Sequence, residues 1–499
     1  MLSKTNVALS AVVAVAAISV LSACTQTQAV SAIDRLKPCT GHDTPVDAYC
    51  GTLTVFENRA TKQGRQIDLN IVVLPALRSD AQPDPLFFLA GGPGQGAAKL
   101  AKVVRTMFAS VQRDRDIVLV DQRGTGKSHP LDCLNDDDDG LKTLAMTQEQ
   151  VIDRLKACQA KYDADLTQYT TTIAMDDLDD VRAFLGYEKI NLYGGSYGTR
   201  AALVYMRQHG DRVRTSILDG VAPPDMGLPR YFPRDSQRAF ELLARDCAAD
   251  AGCNAAYPNL LERTRTLLDR LKKDPPLLKV THPRTAETED VRIEARLVAN
   301  VIVTALYSPT MTSLVPAIIA AAERNDFQSM LALAGLGGGS DEGSMSIGMQ
   351  LSVICAEDAP RNTAEDMKND SASTLFGEYI MSIQQQGCQF WPRAKVDASY
   401  YEPVTSSIPT LVMSGEVDPV TPPTWGGQVA RTLSNSKHLV MPGTGHTPGG
   451  TGCGQRVMKS FIERGSVDGI DIACVDKVRR PGFFVTPAGP DPSRAGGTQ

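Results

Sequence analysis

The stretch Gly194-Gly195-Ser196-Tyr197-Gly198 constrains the fold of this 499-residue chain more than any other. The segment 189–193 predicts a short buried strand before it, and the pattern over 199–207 predicts a helix after it. Glycines beside the serine allow a sharp backbone turn. A serine on such a strand-to-helix turn is a nucleophile elbow, with its hydroxyl above a helix N-terminus. The pentapeptide alone also fits a plain Gly-rich turn, so the choice between a nucleophile elbow and such a turn depends on the rest of the chain.

Strands and helices alternate on both sides of this turn. Apolar runs at 85–89 and 116–120 predict buried strands, the segment 214–220 predicts a further strand, and the segment 176–186 predicts an amphipathic helix closed by a glycine. This rhythm indicates an α/β fold with a mostly parallel sheet and right-handed connections. Upstream, alternating segments at 51–56 and 67–73 predict an antiparallel hairpin at the sheet edge, and downstream the sheet resumes at 408–415 and 437–441.

The strand rhythm stops between residues 224 and 403. Apolar residues recur there at helical spacing in 239–247, 260–271, 295–306 and 314–322, whereas 335–343 is a loose Gly-rich stretch. We therefore predict a helical insertion, residues 224–403, that acts as a lid over the sheet. The predicted core has a first part at 38–223 and a second part at 404–480, and residues 481–499 are expected to be a disordered tail.

The N-terminus has the pattern of an export signal. Lys4 precedes an apolar run from Val7 to Leu21, and Leu21-Ser22-Ala23-Cys24 resembles the lipobox of bacterial lipoproteins. We expect residues 1–23 to be removed, Cys24 to be lipidated, and 24–37 to form a tether. Thr25 after the cysteine, in place of Asp, favours the outer membrane in a cell that has one. An ordinary signal peptide and an uncleaved anchor remain alternatives. The expected location is the bacterial cell envelope.

Ten cysteines remain when Cys24 is set aside, and an even number in an exported chain predicts disulfides. Ten cysteines allow 945 pairings, so the sequence does not fix the pattern. Pairing near neighbours gives the hypothesis Cys39–Cys50, Cys133–Cys158, Cys247–Cys253, Cys355–Cys388 and Cys453–Cys474. The sequence contains no C-x-x-C, which argues against zinc.

Three other classes of site are disfavoured. A net charge of −6 and the lack of a basic stripe argue against nucleic-acid binding. Gly126-Lys127-Ser128 fails as a phosphate-binding loop because Asp121 stands where the pattern needs glycine. The acidic run at 136–140 fails as a calcium loop because Met146 replaces the bidentate glutamate.

A nucleophilic serine needs a base and a carboxylate that orients it. His446 lies just beyond the strand at 437–441, whereas His438 lies within that strand and is expected to be structural. Asp418 follows the strand at 408–415, and Glu416 is the alternative. The order Ser196, Asp418, His446 is that of α/β-hydrolases and differs from the two other well-known serine-protease folds.

Four motifs of this chain together resemble those of one known family. Gly91-Gly92-Pro93-Gly94, Asp121-Gln122-Arg123-Gly124-Thr125-Gly126-Lys127-Ser128, the elbow pentapeptide and Asp418-Pro419-Val420-Thr421-Pro422 resemble the α/β-hydrolase family of proline iminopeptidases and tripeptidyl aminopeptidases. The likeness extends from about Cys50 to Cys474, and 408–474 resembles the C-terminal region of the tripeptidyl aminopeptidases. The iminopeptidase branch has a histidine before Gly-Gly-Pro-Gly, but this chain has Ala90, which favours the tripeptidyl-aminopeptidase branch.

The resemblance implies cleavage of short peptides from a free N-terminus by acyl transfer. The Tyr197 N–H and an N–H of Gly91 or Gly92 are expected to hold the oxyanion, since Pro93 has no N–H. No metal or organic cofactor is needed. An aminopeptidase also needs a carboxylate for the substrate amine; the candidates are Glu357, Asp358, Glu241 and Asp246.

Two other functions stay open at this point. An envelope esterase or lipase would use the same triad with a more apolar pocket, and a non-catalytic scaffold would retain the motifs without activity. The expected partners are a peptide or small-ester substrate and, through Cys24, a membrane. The natural substrate and the oligomeric state do not follow from the sequence.

Overall fold

The structure is a computed structural model that describes residues 1, 32–41, 44–132, 146–281, 286–338, 345–377, 379, 382–486 and 489–490. Its strands, in chain order, are β1 (Lys37–Pro38), β2 (Tyr49–Phe56), β3 (Gln66–Leu74), β4 (Leu86–Leu89), β5 (Ile117–Val120), β6 (Ile190–Gly195), β7 (Val213–Asp219), β8 (Leu277–Thr281), β9 (Thr288–Arg292), β10 (Thr410–Gly415) and β11 (Ser436–Met441).

Nine of these strands form one sheet in the order β1-β2-β3-β5-β4-β6-β7-β10-β11. The pairs from β1 to β5 are antiparallel, and every pair from β5 to β11 is parallel. The predicted edge hairpin is β2–β3. Because parallel strands end at one edge, the carboxyl ends of β4, β6, β7, β10 and β11 meet there, which is where such sheets bind ligands.

Both faces of the sheet are buried. Along β4 and β5, Phe87 and Val118 pack into one apolar cluster while their neighbours Phe88 and Leu119 pack into the cluster on the opposite face. Successive strand side chains point to opposite faces, so the continuous apolar runs read in the sequence are those of strands covered on both sides.

The helices of the first part of the chain are α1 (Ala101–Met107), α2 (Ala109–Gln112), α3 (Gln148–Gln159), α4 (Thr171–Leu185) and α5 (Tyr197–His209). The helix α4 is the amphipathic helix predicted at 176–186, and it starts about one turn earlier. The Thr170 side chain caps its N-terminus, and Gly186 ends it with φ +83°.

Residues 224–403 are mainly helical. Their helices are α6 (Phe232–Ala249), α7 (Ala251–Ala256), α8 (Leu260–Lys273), α9 (Ala295–Leu306), α10 (Pro309–Thr312), α11 (Val315–Glu323), α12 (Gln328–Gly338), α13 (Ile347–Val353), α14 (Ala364–Ser371) and α15 (Ser382–Gly387). The C-terminal helices are α16 (Pro423–Ala430) and α17 (Gly452–Arg464). A π-helical turn, Ile354–Asp358, follows α13.

The helical insertion has a hydrophobic core of its own, built around Phe240, Leu268, Ile302 and Phe376. It also contains the antiparallel hairpin β8–β9, which the sequence analysis missed. The burial pattern of both strands shows why: each has a single buried residue, Val280 or Val291. Strands so exposed give no apolar alternation to detect.

Four of the five predicted disulfides are present: Cys39–Cys50, Cys247–Cys253, Cys355–Cys388 and Cys453–Cys474. The fifth prediction involves Cys133, which lies outside the described residues, as do Cys24 and the apolar run before it.

The prediction of a disordered tail from residue 481 is wrong for residues 481–486. Phe483 is buried in the core of the helical insertion, and the Phe484 N–H donates to the Ser313 carbonyl. Among the described residues, no helix has both the length and the apolar character needed to cross a membrane.

Candidate active site

Ser196 lies at the turn between β6 and α5, with φ +57° and ψ −127°. This backbone conformation is rare for a residue with a side chain and is typical of strained functional turns. Gly194 and Gly198, on either side of the serine, leave no room for a side chain. A Cβ on Gly194 would collide with the carbonyl oxygen of Gly198, and a Cβ on Gly198 would collide with the carbonyl oxygen of Leu89. The predicted elbow geometry is therefore present.

The predicted acid and base are hydrogen-bonded to each other. His446 Nδ1 lies 2.8 Å from Asp418 Oδ2. The backbone N–H groups of Val420 and Thr421 donate to Asp418 Oδ1 at 2.9 and 2.8 Å, and the Thr421 hydroxyl donates to Oδ2 at 2.7 Å. The acid is thus held in place by three donors of its own loop, in addition to the base.

The electrostatics of this pair suit an acid that stays ionised. Burial alone would raise the pKa of Asp418, but the charge of His446 and its hydrogen bond, with the backbone donors, lower it below the usual value. Burial alone would lower the pKa of His446, but the charge and hydrogen bond of Asp418, with the charge of Asp219, raise it. The imidazolium form of the base is therefore stabilised.

Two further contacts place the base beside the elbow. The Ser196 N–H donates to the carbonyl of Asp219 at 2.9 Å, and the next residue, Gly220, packs on the base: a Cβ there would lie 3.2 Å from His446 Cε1. On the other side, the His446 N–H donates to the carbonyl of Tyr307, just beyond α9, at 2.9 Å. The Tyr307 ring meets the His446 ring edge-on at 5.0 Å between centroids.

The predicted oxyanion donors lie at the same edge. Gly91 packs so closely on the elbow that a Cβ there would be 3.2 Å from Ser196 Cβ. The Gly91 N–H donates to Gln95 Oε1 at 3.3 Å, a long bond that a stronger acceptor such as an oxyanion can replace. Gly92 has φ +109°, and Met345 Sδ of the helical insertion occupies the space beside it.

The structure buries Glu357 and Asp358 and pairs them within the protein. Both side chains are fully buried. Arg200 of α5 forms a two-pronged ion pair with Asp358 at 2.9 and 3.0 Å and lies 3.6 Å from Glu357. Glu357 also accepts hydrogen bonds from the Thr171 N–H and hydroxyl and from the Tyr400 hydroxyl.

We therefore correct the prediction for these two carboxylates. Every oxygen of Glu357 and Asp358 has a donor within the protein, the Leu228 N–H included. Burial raises the pKa of both, although the charge of Arg200 opposes it. Through Arg200 and Asp358, these contacts connect the helical insertion to the elbow helix α5.

The other two amine candidates lie on α6. Glu241 is exposed and accepts a hydrogen bond from Gln237 one turn earlier, and Asp246 pairs with Arg245 and Arg480. Neither shows a contact with the triad. Within the described ranges, no group of three or more His, Cys, Asp or Glu side chains is arranged to hold a metal ion.

Sequence reasoning missed Asp219 and Tyr307, which both contact the base or its loop. Asp219 carried one usable signal, since it ends a strand at the sheet edge where Ser196, Asp418 and His446 also lie. Tyr307 carried none, because it contacts His446 only through tertiary packing. The rejected phosphate loop has a structural role: Asp121 accepts the N–H groups of Ala98 and Lys127.

Comparison with family models identifies the class of protein. A model described as alpha/beta hydrolase fold matches residues 84–252, and a model described as TAP-like protein matches residues 372–474. The first contains the elbow and the second contains Asp418 and His446. The chain has the α/β-hydrolase fold, as its motifs predicted.

The similar curated proteins are peptidases. Serine protease Hip1 of Mycobacterium tuberculosis is 27% identical over 436 residues, covering 81% of this chain and 82% of that protein. Tripeptidyl aminopeptidase of Streptomyces lividans is 30% identical over 214 residues, 40% of each chain. Proline iminopeptidase of Neisseria gonorrhoeae is 31% identical over 172 residues, 32% of this chain and 44% of that protein. This chain is a serine hydrolase related to these peptidases.

Proposed function

We propose that this protein is a serine aminopeptidase that removes short peptides, of the tripeptidyl or prolyl type, from a free N-terminus. The hydrogen-bonded Asp418–His446 pair beside the Ser196 elbow supports the serine-hydrolase chemistry, and the TAP-like match over the acid and base supports this choice of substrate. Because Glu357 and Asp358 are used internally, selection of the free amine is assigned to other groups at the mouth of the site.

The mechanism that we propose is two-step acyl transfer. Ser196 Oγ attacks the scissile carbonyl carbon while His446 Nε2 takes the hydroxyl proton, and Asp418 holds the resulting imidazolium. The Tyr197 N–H and an N–H of the Gly91-Gly92 segment stabilise the oxyanion. The C–N bond then breaks as His446 returns the proton to the leaving amine, and water, activated by the same base, hydrolyses the acyl-enzyme.

The substrate proposal is tested with a tripeptidyl fluorogenic amide offered with a free and with an acetylated α-amine. We expect kcat/KM to fall by about 100-fold or more on acetylation. The acetylated amine carries no charge, so the protein group that binds the free amine is left without a partner. Turnover of a short acyl ester serves as the control. Equal rates on both amides, or activity on the ester alone, would favour the esterase alternative.

We further propose that the chain is exported and anchored at Cys24. The lipobox-like sequence supports this, and so do four disulfides, which persist in oxidising compartments. In cells fed labelled palmitate, we expect the label to enter the wild-type protein and the whole protein to partition with membranes. Cys24→Ser should lose both properties; an equally labelled variant would refute the anchor.

A further inference from the structure

Asp219 is the last residue of β7 and stands directly beside the nucleophile. In the sheet it is paired with Gly195, the residue before Ser196. Its carbonyl accepts the Ser196 N–H at 2.9 Å. The backbone of Asp219 thus fixes the strained turn that carries the nucleophile.

The side chain of Asp219 reaches the loop that carries the base. Oδ2 accepts the Gly449 N–H at 3.0 Å, and Gly449 lies three residues after His446. The same oxygen accepts the Tyr193 hydroxyl at 2.8 Å, from the elbow strand β6. One residue therefore joins the elbow and the base loop through its backbone and its carboxylate.

The remaining oxygen is not explained by a structural role. Asp219 is fully buried, and its Oδ1 has no hydrogen-bond partner among the described residues. Buried carboxylate oxygens are normally satisfied, and a buried charge is costly unless a cation faces it. The cation available here is the imidazolium that His446 forms during the reaction. Burial raises the pKa of Asp219 to about 7, and the positive charge of His446 opposes this rise.

The charged and titratable groups that face His446 come from three elements. Asp418 lies on the loop after β10, Asp219 at the end of β7, and the Tyr307 phenol just beyond α9. Burial raises the pKa of the phenol well above the neutral range, so it stays uncharged. Asp418, whose pKa is lowered, therefore acts on the base as a charge throughout the neutral range, and Asp219 adds its charge as the pH rises through its pKa of about 7.

We infer that Asp219 is a positioning residue that locks the base loop to the nucleophile elbow and, in its ionised form, supplies a second negative charge to the His446 imidazolium. This inference rests on the proposed serine-hydrolase function. It adds a carboxylate on β7 to the triad, acting through the base and not on the substrate.

The test is the pH dependence of Asp219→Asn. An asparagine oxygen can still accept the Tyr193 and Gly449 bonds, so the substitution removes charge and keeps the anchor. Loss of a negative charge lowers the pKa of the base, so the acid limb of kcat/KM for p-nitrophenyl acetate should move to lower pH. We expect a shift of about 0.5–1 unit, with a plateau about 10-fold lower. An acid limb within about 0.2 unit of wild type, whatever the rate, would overturn the inference.

Tyr193→Phe provides a second variant if Asp219→Asn folds poorly. It keeps the ring, which stacks on Phe88 at 5.3 Å, but removes a donor that favours the charged form of Asp219. The acid limb should move in the same direction by a smaller amount, and an unchanged limb would contradict the inference.

Labelling of the wild type by a fluorophosphonate probe distinguishes failure of the serine-hydrolase proposal from failure of the role proposed for Asp219. An unlabelled wild type refutes the serine hydrolase itself, whereas a labelled wild type with unshifted variants refutes only the role of Asp219.

Discussion

Replacing Ser196 with alanine is expected to abolish turnover and covalent labelling by a fluorophosphonate together. Ser196 occupies the elbow, with the N-terminus of α5 behind it and the Asp418–His446 pair beside it, so no other hydroxyl of the triad region can take its place. The loss in kcat should be on the order of 10⁴-fold or more, since the residual rate comes only from substrate binding and the oxyanion donors. Stopped assays on a peptide amide and gel-based labelling would measure it.

The matched control is Ser79→Ala, an exposed serine in the loop between β3 and β4. It should keep full labelling and full turnover. Asp418→Asn should label slowly and lose about 10⁴-fold in kcat, because the amide no longer holds the required tautomer of His446. A Ser196→Ala protein that folds and still turns over peptide at more than a few per cent of the wild-type rate would refute the proposed nucleophile.

Replacing Arg200 with leucine is expected to cost about 3–5 kcal/mol in the free energy of unfolding. The change leaves Asp358 and Glu357 buried with no cation, while both carboxylates are fully buried in the native structure. Such uncompensated charges are far more destabilising than the loss of an exposed ion pair. The midpoint of urea unfolding, followed by intrinsic fluorescence, would measure the effect.

Two comparisons make this result specific. Lys459→Ala, which removes the partly exposed partner of the exposed Glu463 on α17, should change the unfolding free energy by less than about 1 kcal/mol. The double variant Arg200→Leu with Asp358→Leu should recover part of the loss, because the buried ion pair is then replaced by apolar groups. If Arg200→Leu unfolds at the wild-type midpoint, the ion cluster does not hold the helical insertion to the elbow helix.

The position of the candidate site could be predicted because each of its three residues follows a strand. Ser196 follows β6, Asp418 follows β10 and His446 follows β11, so the order of the strands brings the three residues to one edge of the sheet. The helices of the insertion were also predictable from apolar spacing, and α9 has the bounds that the sequence indicated.

Tertiary partners could not be predicted in the same way. Glu357 and Asp358 have the sequence of an exposed acidic pair, and only the fold shows that Arg200, more than 150 residues earlier, neutralises them. The hairpin β8–β9 lacked a signal for the opposite reason, since its side chains are mostly exposed. In both cases the deciding information is burial, which is a property of the folded chain.

The hydrogen bond from the His446 N–H to the Tyr307 carbonyl has a consequence for how this enzyme can diversify. The insertion that would choose the substrate also supplies an acceptor to the backbone of the base. We therefore expect substrate preference and turnover to depend on one another, and an insertion exchanged from a relative to support catalysis only if it reproduces the peptide geometry at residue 307. Selection for a new peptide would act on both properties at once.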